Sequence, residues 1–453
     1  MSIPNVKAQV SFNNTYIIGI SFISALGGYL FGFDFAVISG ALPFLRTEFH
    51  LSSWWEGFLT GSLALGCIVG CLAAGKLADK YGRKPGLLVA ASIFAISSLG
   101  MAFSQGLTQF VLMRFAAGIG VGMASMLSPL YIAEISPASI RGRNVAVNQL
   151  TIGIGILVTN LVNYCLADKG PDVWRLMFGL GVIPSILFFV GVIFLPESPR
   201  WLMQAGKELK AAAILNKIGS ARFAQNTLKD IAISLSGNQQ RQSYSAVFAK
   251  AVRPAVIVGI TLAVFQQFCG INIVFNYTST IFKSVGANLN NQLFQTVAIG
   301  IVNLLFTVLA MWQVDKLGRR PLMLIGSLGL AVVYIVLAIL LKGHSNPLLV
   351  SVFVLIAIGL YATSLAPVTW VLISEIFPNQ IRGVASSVAI VSLWAAYFIL
   401  VFTFPVLTEN LGTYGPFYLY SAICFLGFLF IRAKVSETKG QTLEELEQNL
   451  VSH

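Results

Sequence analysis

A carboxylate, Asp34, lies near the middle of an apolar stretch that runs from about residue 16 to residue 45. About 20 apolar residues cross the hydrocarbon core of a bilayer, so this stretch is long enough to span it. A charged aspartate at the centre of such a helix costs about 2.5–3.5 kcal/mol and is a functional residue by default. Asp34 therefore needs a partner inside the membrane.

The best partner is Arg114, which also lies within an apolar stretch and begins the sequence RFAAGIGVG. Three glycines in that sequence, Gly118, Gly120 and Gly122, allow a neighbouring helix to approach closely. We predict that Asp34 and Arg114 form a buried ion pair that can bind and release a proton. The alternative is a static structural pair, with glycines that serve only to pack helices.

The composition is that of a polytopic membrane protein, because 56% of the 453 residues are hydrophobic and only 10% are charged. Twelve apolar runs of spanning length predict an all-α protein with twelve transmembrane helices. These runs cover about residues 16–45, 55–78, 86–104, 107–133, 143–167, 175–195, 253–283, 291–313, 320–342, 347–374, 382–407 and 414–433.

The net charge of +12 is a topology signal rather than a nucleic-acid-binding surface. Lysine and arginine cluster after the even-numbered runs, as in KLADKYGRK, and are sparse in the odd-numbered connections. By the positive-inside rule, both termini lie in the cytoplasm. We expect a multi-pass protein of the inner or plasma membrane, whose partner is the lipid bilayer and not a nucleic acid.

Nothing in the sequence predicts a metal, a cofactor or a catalytic centre. The three histidines do not cluster, and no nucleophile, base and orienting group are spaced as a catalytic set. The N-terminus lacks the pattern of a signal peptide. The five cysteines have neither metal nor redox spacing, so we expect small core residues at Cys67, Cys71, Cys165, Cys269 and Cys424.

Three segments of the first part of the chain return roughly 240 residues later: GKLADKYGRK as DKLGRR, EISPASIRG as EIFPNQIRG, and, more loosely, PESPRWL as SETKGQTLEELE. The repeat indicates two pseudo-symmetric six-helix halves, an arrangement typical of transporters with a binding site between the halves. We place the first half at residues 1–195, a cytoplasmic linker at 196–252, the second half at 253–435 and a cytoplasmic C-terminal segment at 436–453.

The repeated segments carry acidic and basic residues that can bond to each other and to helix ends. One alternative is simple turn chemistry combined with positive-inside charge. We expect a cytoplasmic latch between neighbouring helix ends, formed by Asp79, Arg83, Glu134, Arg141, Glu197, Arg200, Asp315, Arg319, Glu375 and Arg382. In the linker, residues 208–218 are compatible with a helix, and QTLEELEQ near the C-terminus predicts another short one.

The whole chain resembles the sugar porters of the major facilitator superfamily. Ten motifs in the right order carry the resemblance: GGYLFGFD, GKLADKYGRK, RFAAGIGVG, PLYIAEISPASIRG, NQLTIGIGI, PESPRWL, QQFCGIN, VDKLGRR, VTWVLISEIFPNQIRG and SETKGQTLEELE. It implies a monosaccharide as substrate, and a chain that acts as a monomer.

The resemblance also implies which residues contact the sugar, and each has a suitable chemistry. A pyranose needs several amide partners and an aromatic platform in a largely apolar cleft. The implied contacts are Gln149, Gln266, Gln267, Asn272, Asn303, Trp370 and Trp394, with Asn276 and Tyr277 as gating residues. Interhelical hydrogen bonding is the structural alternative for the amides. Phe22 and Phe265 could also line the cavity, but a core role is expected for both.

Several positions depart from the family pattern. Many members carry two tyrosines at 276 and 277, where this chain has Asn276 and Tyr277, and Leu393 and Tyr397 stand where relatives often place amides. Ile156 replaces a glutamine of some xylose carriers. Gly181 stands where at least some proton-coupled members have a glutamate. These departures leave the sugar open among glucose, galactose, xylose, arabinose and inositol.

The predicted function is proton-coupled symport of a monosaccharide by alternating access, with Asp34 as the proton acceptor. Pairing with Arg114 would stabilise the charged carboxylate, and opening of the pair would favour its protonation. The alternatives are a facilitative uniporter, whose members typically have a neutral residue at this position, and a non-transporting sugar sensor, which usually carries a longer cytoplasmic tail.

Overall fold

The computed structural model describes residues 12–137, 140–236, 249, 252–377 and 381–439. Every regular element in these ranges is a helix, numbered here in chain order. The helices are α1 (Asn14–Glu48), α2 (Ser53–Tyr81), α3 (Arg83–Ala102), α4 (Leu107–Ile135), α5 (Arg141–Leu166), α6 (Val173–Gly179), α7 (Val182–Phe194), α8 (Pro199–Gln204), α9 (Glu208–Ile218), α10 (Ala221–Ser236), α11 (Arg253–Phe268), α12 (Ile271–Asn276), α13 (Thr278–Lys283), α14 (Leu289–Leu317), α15 (Arg319–Lys342), α16 (Pro347–Thr363), α17 (Leu365–Ile376), α18 (Arg382–Leu411) and α19 (Gly415–Lys434).

Within the described ranges, twelve helical segments are long and apolar enough to cross a membrane. The first six spans, α1 to α7, are called the first half here, and the last six, α11 to α19, the second half. The end of the bundle where α2 meets α3 is called the basic end, and the end where α1 meets α2 is called the far end. Successive spans run between these two ends.

Three spans consist of two helices rather than one. Span six joins α6 to α7, span seven joins α11 to α12, and span ten joins α16 to α17. The break in span seven lies at Gly270, whose φ of +85° is left-handed and whose hydrogen atoms face the ring of Tyr420. Gly270 therefore divides α11 from α12 within the continuous run that the sequence predicts at 253–283, because a left-handed residue ends a right-handed helix. A second break, at Tyr277, separates α12 from α13.

Close packing between α2 and α4 depends on the predicted glycines. A Cβ at Gly118 would collide with the carbonyl oxygen of Leu63, and one at Gly122 would collide with that of Cys67. At Gly120 a Cβ would lie 2.9 Å from the carbonyl oxygen of Ala90 on α3. These glycines bring the backbones of three helices together around Arg114.

Two core predictions are wrong. Cys165 is exposed, unlike the four other cysteines, and Phe22 is 51% exposed. Both lie on membrane-spanning helices that are buried on one face only, and a lipid-facing position suits an apolar side chain as well as a core position does. Phe265 is buried, as expected, and packs against Gly427.

Helices α8, α9 and α10 lie between the two halves, at the basic end. Helix α9 covers Glu208–Ile218, the stretch for which the sequence predicts a helix. The chain before α1 is tied to the end of α9, since the N–H of Asn13 donates to the carbonyl oxygen of Ile218 at 2.9 Å and Phe12 pairs with Gly219. The predicted helix QTLEELEQ lies outside the described residues.

Candidate functional site

Asp34 and Arg114 meet inside the first half, where α1 packs against α4. Nη1 of Arg114 lies 3.4 Å from each carboxylate oxygen of Asp34. Both side chains are fully buried, and Nε of Arg114 donates to the carbonyl oxygen of Leu59 at 3.1 Å. The two residues therefore form a buried pair, while their role in proton transfer stays a prediction.

The Asp34–Arg114 pair is loosely bonded. Charged N–H to carboxylate bonds are usually about 2.7–2.9 Å long, compared with 3.4 Å here. Nη2 of Arg114 and Oδ2 of Asp34 have no hydrogen-bond partner among the described residues. A buried charge pair with unmade hydrogen bonds is poorly stabilised. This geometry favours a site that changes its charge over one that only holds helices together.

Aromatic rings on either side of Asp34 connect the first half to the second. The ring of Phe31 lies 5.6 Å from that of Trp394, and the ring of Phe35 lies 5.2 Å from that of Tyr397. Phe31 and Phe35 are one turn apart on α1 and pack on each other at 4.6 Å, while Trp394 and Tyr397 pack together on α18 at 5.8 Å. These four rings, called the aromatic cluster here, place α18 directly beside the helix that carries Asp34.

The amides of span seven form one continuous chain of hydrogen bonds around the Gly270 break. Nε2 of Gln266 donates to the hydroxyl of Tyr361 at 3.3 Å, and Nε2 of Gln267 donates to Oε1 of Gln266 at 3.0 Å. Nδ2 of Asn272 donates to Oε1 of Gln267 at 2.5 Å. All of these side chains are buried, so the amides predicted to bind sugar lie in one place.

The chain of amides ends at the predicted gating position. Nδ2 of Asn276 donates to the carbonyl oxygen of Asn272 at 2.7 Å and to the hydroxyl of Tyr397 at 2.9 Å. The hydroxyl of Tyr277 donates instead to the carbonyl oxygen of Val401 at 2.9 Å. Asn276 is thus part of the amide chain, whereas Tyr277 fastens span seven to α18.

The other predicted sugar contacts lie on other helices than the amide chain of span seven. Gln149 is half-buried on α5 one turn before Gly153, and Gly153 faces Leu304 and Asn303 on α14. Gln149 and Asn303 therefore lie where α5 and α14 meet across the two halves. Trp370 on α17 is 41% exposed, and the described residues offer it neither a ring contact nor a hydrogen bond. Trp394 is buried within the aromatic cluster.

Arg83 anchors the basic end of the first half. Its guanidinium makes two bonds to the carboxylate of Glu134, at 2.9 and 2.8 Å, and a third to the carbonyl oxygen of Ala78 at 3.1 Å. Glu197 accepts from the backbone N–H groups of Arg83 at 2.9 Å and Ser198 at 2.8 Å, which caps the first turn of α3. Together these bonds join the ends of α2, α3, α4 and α7.

The second half repeats this cap. Glu437 accepts from the backbone N–H of Arg319 at 2.9 Å and of Arg320 at 3.1 Å, at the first turn of α15. Gly82 and Gly318 precede the two capped turns with φ of +104° and +91°, and each faces the capping carboxylate. The predicted duplication is therefore visible as two matching turns.

The remaining latch residues of known side-chain position, Asp79, Arg141 and Arg200, lie at helix ends of the basic end. Arg141 and Arg200 are exposed, and neither forms an ion pair with a described side chain. The backbone carbonyl of Asp79 accepts from Nε1 of Trp201 at 3.1 Å. The side chains of Asp315, Glu375 and Arg382 lie outside the described residues. The bonds of Arg83, Glu197 and Glu437 each join helix ends within one half.

The two capping carboxylates have pKa values displaced in opposite directions. Burial raises the pKa of Glu197 despite its bonds from backbone N–H groups and the nearby charge of Arg83. Burial also opposes ionisation of Glu437, but the N–H groups of Arg319, Lys439, Arg320 and Thr438 outweigh it and lower its pKa. As the pH falls, the Glu197 cap therefore takes up a proton before the Glu437 cap does.

We expect Arg83→Gln to slow transport more than it weakens substrate binding. The change leaves Glu134 without its charged partner and loosens the basic end, which shifts the protein towards states that are open there. Distances between labels across the basic end, measured together with substrate affinity, test this expectation. Arg83→Gln/Glu134→Gln removes both charges and should recover part of the rate, while the exposed Arg222→Gln is the control. If the label distances in Arg83→Gln are unchanged, Arg83 and Glu134 do not control opening of the basic end, and their charges serve only to orient the chain in the membrane.

At the far end, the arginine of another ion pair within the first half also bonds to the second half. The guanidinium of Arg46 bonds to both carboxylate oxygens of Glu56, at 2.8 and 2.6 Å, and to the hydroxyl of Thr280 on α13 at 3.1 Å. Close by, the hydroxyl of Ser279 donates to the carbonyl oxygen of Ser39 at 2.8 Å. We call Arg46, Glu56 and Thr280 the far-end latch. No sequence motif predicts it.

We expect Thr280→Val to increase the population of states open at the far end. A hydrogen bond to a charged group is worth about 1.5–3 kcal/mol, so its loss shifts such an equilibrium by about tenfold or more. Distances between labels on α1 and α13 at the far end would report the shift. The control is Thr47→Val, because the Thr47 hydroxyl bonds only within α1, to Pro43 at 3.2 Å. If the distances are equal in Thr280→Val and Thr47→Val, the far-end latch does not stabilise the closed far end.

Twelve spans in two repeated halves, with a buried charge pair and a chain of amides where the halves meet, define a membrane transporter of a polar solute. The family model described as "Sugar (and other) transporter" matches residues 20–450. The chain therefore belongs to this family, the sugar porters of the major facilitator superfamily. It is a multi-pass sugar transporter of the cell membrane and not an enzyme.

Similar proteins of known name cover nearly the whole chain. The D-xylose-proton symporter of Escherichia coli is 39% identical over 97% of this chain and 96% of its own length. The arabinose-proton symporter of Bacillus subtilis is 37% identical over 98% of this chain and 97% of its own. The inward-open xylose transporter XylE from E. coli superposes with a TM-score of 0.85 at 38% identity, covering 96% of this chain and all of that one.

Proposed function

We propose that the protein couples the uptake of a monosaccharide to the entry of protons, and that it works by alternating access. The observation that carries this proposal is the position of Asp34. It is fully buried against Arg114, and its neighbour Phe35 touches Tyr397 of the other half. A change of charge at Asp34 therefore acts on a helix that contacts the other half.

In this mechanism Asp34 accepts a proton and releases Arg114. The neutral carboxyl loses its attraction to the guanidinium, so α1 and α4 are free to separate. Arg114 keeps its bond to the Leu59 carbonyl and its position 5.9 Å above the Phe178 ring. These contacts hold the arginine in place while the carboxyl is protonated.

The amides of span seven bind the sugar. Gln266, Gln267 and Asn272 bond to one another in the structure, and sugar hydroxyls would exchange with these bonds. Because the amides belong to the second half and Asp34 to the first, binding the sugar between them favours a particular arrangement of the halves. A ligand shifts an equilibrium only through such differential contacts.

We assign the basic end and both termini to the cytoplasm by the positive-inside rule. The recorded contacts between the halves, from the aromatic cluster to the far-end latch, lie between the middle of the bundle and the far end. This distribution is expected of a state closed towards the outside.

The substrate we propose is a pentose or hexose. The names of two relatives refer to xylose and arabinose, and both sugars present several hydroxyls to amide groups. Ile156 and Leu393 are buried and apolar at positions where some relatives offer amides. These two positions leave pentoses and hexoses equally open, because the glutamine that Ile156 replaces occurs in some xylose carriers, whereas several hexose carriers are apolar there.

Uptake into vesicles containing the purified protein tests the proposal. A panel of xylose, arabinose, glucose, galactose and inositol is offered with and without an imposed pH gradient, acid outside. We expect at least one sugar of this panel to accumulate above its external concentration only when the gradient is present. Equilibration without accumulation for every sugar would establish a uniporter instead. Binding without any uptake would establish a sensor.

A further inference from the structure

Tyr397 and Asn276 form a reciprocal hydrogen bond in the interior of the second half. Nδ2 of Asn276 donates to the Tyr397 hydroxyl at 2.9 Å, and that hydroxyl lies 3.2 Å from Oδ1 of Asn276, to which it can donate. Tyr397 is 1% exposed, and Asn276 is fully buried. The phenol hydroxyl has no water to replace this partner, so the bond fixes the position of the ring relative to α12.

The ring of Tyr397 reaches the first half on its other side. Its centroid lies 5.2 Å from that of Phe35, the residue that follows Asp34 on α1. Tyr397 also packs at 5.8 Å on Trp394, which contacts Phe31 at 5.6 Å. A bend or rotation of α1 at Asp34 therefore moves Phe35 against the Tyr397 ring.

Asn276 reaches the amides on its other side. It bonds to the carbonyl oxygen of Asn272, whose side chain bonds to Gln267, which in turn bonds to Gln266. The contacts thus run without a gap from the ion pair through Phe35, Tyr397 and Asn276 to the amides. Helix α1 also packs directly against α12, which carries Asn272 and Asn276.

We infer that Tyr397 and Asn276 are positioning residues that transmit the charge state of Asp34 to the sugar-binding amides. The inference rests on the proposed function and adds to it the physical link between its two sites. Protonation at Asp34 lets α1 move, Phe35 shifts the Tyr397 ring, and the hydrogen bond carries that shift to Asn276 and Asn272. Sugar affinity then depends on the protonation of Asp34.

Linkage gives this inference a measurable signature. If sugar and proton bind to the same state, each increases the affinity for the other by the same factor, typically about 5–150-fold. Sugar affinity should therefore rise as the pH falls. A residue that carries the coupling changes this pH dependence, whereas a residue that only supports the fold changes affinity equally at every pH.

The test measures D-xylose affinity of the purified protein across the pH range in which it stays folded. We expect the wild type to bind at least about fivefold more tightly at the acid end. Tyr397→Phe keeps the ring and removes the hydroxyl. The D-xylose affinity of this variant should change less than about twofold across the pH range. At the acid end, its affinity should remain close to that of the wild type. The control, Tyr334→Phe, alters another fully buried tyrosine of the second half, whose hydroxyl has no partner among the described residues.

Asn276→Leu removes the other partner of the Tyr397–Asn276 hydrogen bond. It is the test variant to use if Tyr397→Phe does not fold. If the two residues act as a unit, the double variant Asn276→Leu/Tyr397→Phe loses no more pH dependence than either single variant. Full pH dependence in Tyr397→Phe, or an equal loss of affinity at every pH, would overturn the inference alone. A wild type whose D-xylose binding is independent of pH would overturn this inference, whereas failure of the proposed proton coupling shows separately, as equilibration without accumulation in the uptake experiment.

Discussion

Asp34→Asn should abolish accumulation of sugar against its gradient while sparing exchange of sugar between equilibrated compartments. Asparagine has the shape of the protonated aspartate but cannot titrate. Exchange needs no net proton movement, so it can continue, whereas proton-driven uptake loses its acceptor. Counterflow and pH-driven uptake in the same vesicles separate the two activities.

Arg114→Ala is the companion variant and should be more damaging. It leaves the Asp34 carboxylate buried without a partner, which costs several kcal/mol when it is charged. It also empties a fully buried position beside Phe178. Glu48, which lies on the same helix but 37% exposed beside Arg175, provides the control variant Glu48→Gln. Accumulation by Asp34→Asn under a pH gradient alone would show that another group carries the proton.

Gln267→Ala should weaken sugar binding by about 1–3 kcal/mol, or roughly 5–150-fold in affinity, with the protein still inserted and folded. Gln267 is the middle member of the amide chain, bonded to both Gln266 and Asn272. Its removal takes a partner from the sugar and leaves two neighbouring amides without theirs. Equilibrium binding of sugar to the purified protein measures this change in affinity directly.

Gln204→Ala is the matched control, because Gln204 is an exposed glutamine at the end of α8. It should leave sugar affinity unchanged. An unchanged affinity in Gln267→Ala as well would remove this residue from the binding site. The same measurement on Tyr361→Phe would then show whether the hydroxyl that accepts from Gln266 contributes to binding.

The pairing of Asp34 with Arg114 could be predicted because charged residues are rare within apolar runs. Each needs a partner of opposite sign, and few are available inside the membrane. The twelve spans follow from length and composition for the same reason: a bilayer sets a fixed thickness. The resemblance to the sugar porters then singled out the amides.

Tyr361, Phe35 and the role of Tyr397 could not be predicted in this way. Aromatic residues are common throughout these apolar runs, so neither their type nor their spacing distinguishes a functional ring from a packing one. Their importance comes from contacts between residues far apart in the chain, such as Phe35 with Tyr397. The far-end latch was missed for a similar reason, since Thr280 is an ordinary residue until the fold places Arg46 beside it.

Helix α1 is fixed near both of its ends. Before its first turn the backbone is bonded to the end of α9, and in its last turn Arg46 is bonded to Glu56 and Thr280. The helix has 35 residues and is about 50 Å long. While both ties hold, α1 can answer a change at Asp34 by bowing or by turning about its own axis, but it cannot slide lengthwise. The helix can slide along its axis only after the bonds at one end are broken. The order in which the bonds at the two ends break therefore determines the direction in which α1 can move.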